Sequence, residues 1–331
     1  MSGATEVEIT AICCRYSRKR ELPKFVIASL RSLYHLATSK VCVLDAYWPI
    51  VSILKHKDEL TVIQMWHSLG KVKKTGYQTL GSPYGSSEKL AKYMNMHRNY
   101  DYIIAGGRSW NMYYCEAFDT TEDVLVNIGL PRIDYLLDTQ SINRSVFFNA
   151  YTNLEHKTII LYAPTFRHSF DASLYIEDLI NSIDYSRYAL IVKAHPNQQL
   201  AIHNPAALTC DDFKAIDLLA VCDFLITDYS AIAIEAAVLN KKTFYYLYDL
   251  EHYIECNGVN IDLPTLMDGC VYKNATDLVE AIISNEYPQE KLDLYRAMYL
   301  PNELGISTKK LSDLVIRNLY STEPLGDDSS R

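Results

Sequence analysis

The stretch "CDFLITDYSAIAIEAAVLNKKTFYYL", residues 222–247, has the pattern of a strand, a turn, a helix and a second strand in close succession. The apolar run "FLIT" is typical of a buried parallel strand, and "AIAIEAAVLN" is typical of the helix that follows such a strand. Ligands of open parallel sheets bind beyond the carboxyl ends of the strands. The turn at residues 227–230 is therefore expected on the ligand side of a sheet.

The residues of this turn suit an anion, although they also suit a simple helix cap. Free backbone N–H groups and the helix dipole make a helix N-terminus favourable for phosphate. Ser230 either caps the helix or donates its hydroxyl to a phosphate oxygen, and Asp228 either caps the helix or fixes a neighbouring loop. The turn alone favours the cap, because it has no Gly-rich phosphate cradle.

Two further strand ends carry basic side chains in the same half of the chain. "ALIVKAHP" ends with Lys193 and His195, and "IILYAPTFR" ends with Thr165 and Arg167. The carboxyl ends of parallel strands meet at one sheet edge, so these groups are expected to converge. Arginine, lysine and histidine side chains that converge there predict an anion site of the size of a diphosphate.

The first half of the chain supplies a second histidine. "TVIQMWHSLGKVKKTGY" reads as a strand that ends at His67, followed by a loop with two glycines and three lysines: Gly70, Gly76, Lys71, Lys73 and Lys74. Imidazole is suited to accept a hydroxyl proton near neutral pH. His67 is thus a candidate general base, and the alternative is an exposed loop histidine beside solvated lysines or lysines that bind an anionic partner.

Strand-like and helix-like patterns alternate along the chain, beginning with a predicted strand at 7–14 and including a helix that we expect Ser109 to cap. The alternation predicts an α/β fold with parallel sheets covered on both faces. It restarts near residue 157, which indicates two Rossmann-like domains. We assign residues 1–140 to the N-terminal acceptor domain and 141–320 to the C-terminal donor domain, and we predict a disordered tail at 321–331.

Composition excludes several classes of protein. The 331 residues carry a net charge of −8, which argues against general nucleic-acid binding. The eight cysteines show no metal-ligand spacing and predict reduced thiols in a cytosolic protein. We expect no signal peptide and no membrane-spanning segment. Peripheral membrane contact stays open, because a basic cluster lies near the start: Arg15, Arg18, Lys19 and Arg20.

Five motifs occur in the order found in one family: "MWHSLGKVKKTGY" (65–77), "GLPRIDYL" (129–136), "LYAPTFR" (161–167), "KAHP" (193–196) and the long segment 223–253. The chain resembles the CDP-glycerol glycerophosphotransferases, which build teichoic acids and related polyol-phosphate capsules. The resemblance implies a GT-B fold, in which two Rossmann-like domains face a central cleft that contains the active site.

The resemblance also implies roles for matching residues. His67 and His195 are the expected catalytic pair, with His67 as the base on the acceptor hydroxyl and His195 and Arg167 on the donor diphosphate. Glu235 either reaches the donor ribose or faces the core. The full donor-side set is Thr165, Arg167, Lys193, Thr227, Asp228, Ser230, Ala231, Glu235, Pro131 and Arg132, and the acceptor-side set is Gly70, Lys73 and Lys74.

The chain departs from the family pattern at two places. Many members have Trp-His-Gly-Thr-Pro around the first histidine, whereas this chain has Ser68 and Leu69 after His67. Members often have two serines in the turn, and the second is Ala231 here.

The expected reaction moves glycerol phosphate or ribitol phosphate from a CDP-polyol to a hydroxyl of a lipid-linked or polymeric cell-wall acceptor, releasing CMP. We expect no cofactor and no obligatory metal, since no carboxylate cluster suits Mg²⁺. The expected location is the cytoplasmic face of a bacterial plasma membrane. One alternative is a GT-B glycosyltransferase that uses a nucleotide sugar, and another is a non-catalytic binding module; two facing histidines favour an enzyme.

Overall fold

Two parallel sheets form the framework of the protein. The computed structural model describes residues 7–13, 21–167, 170–195, 200 and 202–320. Within them, the first sheet has the order β1-β2-β3-β4, with β1 Val41–Leu44, β2 Thr61–Gln64, β3 Tyr102–Ala105 and β4 Leu125–Asn127. The second sheet has the order β6-β5-β7-β8-β9, with β5 Thr158–Tyr162, β6 Tyr188–Val192, β7 Phe224–Thr227, β8 Lys242–Tyr246 and β9 Val271–Tyr272.

Helices connect and cover these strands, so the predicted α/β class is confirmed. They are α1 Leu22–Thr38, α2 Pro49–Ile53, α3 Glu88–Tyr93, α4 Asn111–Phe118, α5 Pro131–Ala150, α6 Ser173–Ser182, α7 Ala215–Leu218, α8 Ile232–Val238, α9 Leu250–Cys256, α10 Leu263–Leu266, α11 Ala275–Ser284, α12 Gln289–Tyr299 and α13 Ser307–Tyr320. None of the described helices is both long and apolar enough to cross a bilayer.

The register of the second sheet aligns three loops that matter for function. Tyr162 of β5 pairs with Val192 of β6 and with Ile226 of β7. All three strands are parallel and almost completely buried, as their unbroken apolar runs predict. The segments that follow them therefore leave the sheet side by side at its carboxyl edge.

The C-terminal helices return to the first half of the molecule. The buried carboxylate of Asp134 on α5 accepts hydrogen bonds from the backbone N–H groups of Ser307 (3.1 Å) and Thr308 (2.6 Å) at the start of α13. Trp110, which is fully buried, donates its indole N–H to the Tyr299 carbonyl at 2.9 Å. Helix α5 spans the predicted boundary between residues 140 and 141, and that boundary stays a prediction.

A long loop links the two sheets. We call residues 65–87, between β2 and α3, the β2–α3 loop. Its Lys73 forms an antiparallel bridge with Val259, and the Asn260 side chain donates to the Lys71 carbonyl at 2.7 Å. The Asn260 backbone N–H donates to the Val72 carbonyl at 2.9 Å. The loop thus begins on the first sheet and is hydrogen-bonded to the second half.

Two local predictions are wrong. Residues 7–13 of the predicted strand 7–14 adopt neither helix nor strand, and Ile9 is 84% exposed. Apolar and β-branched residues favour a strand only where a neighbouring edge is available for pairing. Ser109 does not cap α4, because it lies in a 3₁₀ turn, Arg108–Trp110, that continues directly into the helix. Residue 14, the basic cluster within 15–20 and the tail at 321–331 lie outside the described residues.

Candidate active site between the two sheets

A buried arginine lies at the carboxyl edge of the second sheet. Arg167 donates from Nε and Nη2 to the two oxygens of Asp249 at 2.7 and 2.9 Å. Its Nη1 donates to Asp228 and to the Thr165 carbonyl, both at 2.8 Å. The side chains of Arg167 and Asp228 are each 1% exposed. Three rings surround the guanidinium with centroids 5.2–5.5 Å from it: Tyr229, Tyr248 and Tyr253.

In this geometry protein acceptors occupy the Arg167 guanidinium, and the predicted contact with the donor diphosphate stays a prediction. Burial acts against the charge, but the carboxylates of Asp228 and Asp249 prevail and raise the pKa of Arg167 above its ordinary value. Because its N–H groups already point at these acceptors, the guanidinium organises the loops around it.

The turn after β7 is bound to the loop after β5. Asp228 accepts the Thr165 backbone N–H at 2.9 and 3.0 Å, and the Thr227 hydroxyl donates to the Ala163 carbonyl at 2.7 Å. Of the roles considered for Asp228, the structure has the loop contact. Ser230 Oγ accepts weakly from the Ile232 N–H at 3.4 Å, beside Ala231 at the start of α8.

Thr165 and two basic residues complete this edge. The Thr165 hydroxyl is buried and has no hydrogen-bond partner among the described residues. Lys193 does not point at it, because its ammonium donates to the carbonyls of Thr209 (3.0 Å) and Cys210 (3.3 Å). His195 is exposed, with its ring 5.6 Å from that of Phe166. Of these three side chains, His195 is the one that faces solvent most openly.

Glu235 of α8 forms an ion pair with Arg132 of α5. Its buried carboxylate accepts from Arg132 at 2.6 Å, which agrees with the alternative that Glu235 faces the core, and the contact with a donor ribose stays a prediction. Burial raises the pKa of Glu235, and Arg132 opposes that shift. Pro131 occupies the first turn of α5, where its fixed φ favours helix initiation and places Arg132.

His67 lies where β2 gives way to the β2–α3 loop. Its Nδ1 is 3.3 Å from the Asp45 carbonyl, and its ring stacks on Trp66 with centroids 4.5 Å apart. In the tautomer that donates Nδ1–H to this carbonyl, Nε2 carries the lone pair. Although His67 is an exposed residue, neighbouring groups displace much of the water around its ring. Burial therefore lowers the pKa of His67, Asp45 opposes the shift, and Lys71 and Arg132 add to it.

The three lysines of the β2–α3 loop have three different environments. Lys71 is 2% exposed, so the prediction of a solvated or anion-binding surface lysine is wrong. Lys73 is half-buried, and burial lowers its pKa, while the charges of Asp228 and Arg167 act on it from the second half. Lys74 packs its aliphatic stem along Gly258. No local signal in the sequence distinguishes the three.

Gly70 has a steric role. A Cβ at this position would lie 2.7 Å from the indole nitrogen of Trp110, so only glycine lets the loop pass over that ring. Within the described part of the chain, no group of three or more His, Cys, Asp or Glu side chains is arranged to hold a metal ion.

The structure therefore brings Arg132 and Lys73 into electrostatic contact with the second half, through Glu235 for the first and through Asp228 and Arg167 for the second. Arg132 joins α5 to α8, and the charge of Arg132 acts on His67. An imidazole at the end of β2, with a nearby arginine that is itself paired with Glu235 of α8, suits transfer of an anionic group to a hydroxyl.

The chain belongs to the CDP-glycerol:poly(glycerophosphate) glycerophosphotransferase family, whose model matches residues 8–317. This confirms the resemblance carried by the five motifs. The chain is 32% identical over 304 residues to the teichoic acid ribitol-phosphate primase of Bacillus spizizenii, covering 88% of this chain and 78% of that protein. It is 27% identical to the teichoic acid glycerol-phosphate primase of Bacillus subtilis, covering 88% and 77%.

Solved structures agree on the fold. The wall teichoic acid polymerase TagF superimposes with a TM-score of 0.69 at 22% identity, covering 85% of this chain and 73% of that one. The UDP-GlcNAc 2-epimerase of Neisseria meningitidis superimposes with a TM-score of 0.57 at 14% identity, covering 92% and 84%. Together with the two parallel sheets, these matches confirm the GT-B fold class.

Proposed function

We propose that the protein transfers glycerol phosphate or ribitol phosphate from a CDP-polyol to a hydroxyl of a cell-wall glycopolymer and releases CMP. The observation that carries the proposal is His67, whose Nδ1 lies 3.3 Å from the Asp45 carbonyl, which leaves Nε2 for the role of base that we assign to it. Membership of the family and the similarity to teichoic acid primases support the choice of donor and acceptor.

In the proposed reaction, the acceptor oxygen attacks the β-phosphorus of the donor while Nε2 of His67 removes its proton. The new bond joins the acceptor to the polyol phosphate, and the bond to the α-phosphate breaks, so that CMP leaves with the negative charge. Catalysis consists mainly of alignment and charge stabilisation. The lowered pKa of His67 favours the unprotonated base at neutral pH.

The donor side of the site combines open and supporting groups. We assign His195 to the donor phosphates, and we move Lys73 from the acceptor side to the donor side because the charges of Asp228 and Arg167 act on it. The Thr165 hydroxyl, which has no hydrogen-bond partner among the described residues, is the neutral donor of this edge. Arg167 supports them indirectly, because it fixes Asp228, and Asp228 fixes the Thr165 backbone. Thr165 then lies at the edge of the sheet where ligands bind.

We assign the enzyme to the cytoplasmic face of a bacterial plasma membrane, with peripheral contact through α1. This helix exposes a series of apolar side chains: Leu22, Val26, Ile27, Leu30 and Tyr34. The basic cluster of residues 15–20 precedes it in the sequence. Basic residues near anionic lipid contribute about 1 kcal/mol each, which supplements the burial of an apolar helix face.

A donor panel tests the proposed function. Purified protein is incubated with a lipid-linked acceptor and, in turn, CDP-glycerol, CDP-ribitol, UDP-sugars and GDP-sugars, and the nucleotide products are separated. CMP release that depends on the acceptor supports the proposal. UDP or GDP release instead identifies a glycosyltransferase, and tight CDP-polyol binding without turnover identifies a binding module.

Two histidine variants test whether His67 acts on the acceptor and His195 on the donor. His67→Ala is expected to abolish transfer while donor affinity stays within about twofold, because the base contacts the acceptor. His195→Ala is expected to weaken donor binding as well as the rate. Normal turnover in the first variant, or unchanged donor affinity in the second, contradicts the corresponding role.

A further inference from the structure

Lys71 occupies a cage of aromatic rings beside His67. Its ammonium nitrogen lies 4.1 Å from the ring centroid of Trp66, 4.1 Å from that of Phe118 and 4.9 Å from that of Tyr114. The Thr75 hydroxyl accepts from it at 3.3 Å. None of the ion pairs among the described residues includes Lys71. The rings take the place of a carboxylate, as they do in cation–π recognition.

The Trp66 indole connects this ammonium to the imidazole. It contacts the ammonium of Lys71 and stacks on the His67 ring at an interplanar angle of 28°. The Trp66 backbone has φ +60°, a left-handed conformation that is uncommon for a bulky residue and is held only where the surroundings impose it. Phe118 and His97 pack edge-on against the same indole.

We propose that Lys71 is a positioning residue for His67: its caged ammonium fixes the Trp66 indole on which the imidazole stacks. The same nearby positive charge disfavours a second positive charge on the imidazole. The inference rests on the proposed function for the role of His67 as a base. Lys71 itself does not touch substrate, because it is buried beneath the indole.

The charges around both groups fit this role. His67 faces Asp45, Lys71 and Arg132; burial is the main cause of its lowered pKa, and the two cations add to it. Burial lowers the pKa of Lys71 well below its ordinary value, while the ring faces and the Thr75 hydroxyl favour the ammonium. His97 adds no competing cation at neutral pH, because burial, followed by the charge of Lys71, lowers its pKa to about 3. Burial also raises the pKa of Tyr114, which stays neutral.

The expected effect follows from the separation of the charges. The Lys71 nitrogen and the His67 ring centre lie 4.1 and 4.5 Å from the same indole, so they are at most about 9 Å apart. For effective dielectric constants of about 80 to 20, a unit charge at that distance shifts a pKa by about 0.3 to 1.4 units. Removing the charge should raise the pKa of His67 by an amount in that range.

Lys71→Met tests the inference, because methionine fills the cage without a charge. Lys89→Met, on the exposed surface of α3, removes one charge elsewhere and serves as the matched control. Protein with ¹³Cε1-labelled histidine is titrated by NMR, and the His67 signal is assigned by its loss in His67→Asn. The pH profile of CMP release is measured in parallel with the donor that the wild type uses.

In Lys71→Met we expect the His67 pKa and the acid limb of the rate profile to move up together, and the rate at high pH to fall because the Trp66 indole is no longer held, whereas all three are unchanged in Lys89→Met. An unchanged His67 pKa overturns the inference, whether activity is kept or lost equally at all pH values. If the wild type releases CMP from no donor, the proposed function fails, and the NMR titration still decides the role of Lys71.

A measurement on the wild type covers the case in which Lys71→Met does not fold. The ε-CH₂ protons of Lys71 should resonate upfield of those of other lysines, because three ring faces surround them, and the ¹³Cε shift should remain that of an ammonium through pH 8. A ¹³Cε signal that titrates below pH 6 shows a neutral amine at working pH and overturns the inference.

Discussion

Replacement of Arg167 by methionine tests whether the buried ion-pair network organises the donor side of the cleft. The substitution removes three charge-assisted hydrogen bonds, at 2.7, 2.8 and 2.9 Å, and leaves two carboxylates that are at most 1% exposed without their cation. Loss of one partner from a buried pair costs about 3–5 kcal/mol. Asp228 keeps its two contacts with the Thr165 N–H, which places the estimate within this range rather than above it.

Hydrogen exchange measured by mass spectrometry reports this loss at the strands concerned. Where exchange follows the opening equilibrium, about 3–5 kcal/mol corresponds to roughly 150- to 5,000-fold faster exchange of the β5 and β7 amides. Donor binding should weaken in the same variant. Arg98→Met is the matched control: Arg98 and its partner Asp119 are each 52% exposed, and such surface pairs contribute only about 0–1 kcal/mol.

The double variant Arg167→Met/Asp249→Asn separates a lost attraction from a stranded charge. Because the second change removes one of the uncompensated carboxylates, the pair should be less destabilised than the sum of the two single variants. Strictly additive effects, or an Arg167→Met protein within about 1 kcal/mol of the wild type, would refute the reasoning.

Three further expectations follow from other parts of the molecule. Gly70→Ala should lower the free energy of unfolding by about 1–3 kcal/mol in urea titrations, because the new methyl group meets the fixed indole of Trp110; an equally stable variant would mean that the loop shifts freely. His97 has a pKa of about 3 in the folded state, well below its ordinary value of about 6.5. Between these two pH values the unfolded chain binds a proton on His97 that the folded protein does not bind, so the free energy of unfolding falls by about 1.4 kcal/mol for each unit that the pH falls. His97→Phe should flatten that decline in unfolding experiments between pH 6.5 and 4, and an unchanged slope would contradict the pKa. Leu30→Asp on α1 should reduce co-flotation with vesicles of anionic phospholipid, compared with Lys89→Asp on α3, and equal flotation would remove α1 as the membrane contact.

The sequence predicted the buried strands well, because strands covered on both faces of a parallel sheet are almost continuously apolar. "FLIT" and "YALIV" became β7 and β6, and their shared edge followed from parallel order alone. The strand predicted at residues 7–14 is absent from 7–13, because composition shows a preference for strand but not whether a neighbouring strand has a free edge for pairing.

The site was predicted less completely than the fold, since its roles depend on distant contacts. Arg167 reads as a free cation at a strand end until Asp249, 82 residues later, takes up its N–H groups. Lys71 reads as a surface lysine until α4 brings Tyr114 and Phe118 over it. Spacing along the chain contains no signal for either contact.

The attachment of the β2–α3 loop has a mechanical consequence. Gln64 ends β2 and belongs to the first sheet, whereas the carbonyl of Lys71 is bonded to Asn260 of the second half. The side chain of Lys71 is held by rings of the first half, whereas its carbonyl is held by the second half. The backbone is therefore tied to both halves only four residues after His67, so that the imidazole lies next to the point where the two halves are joined.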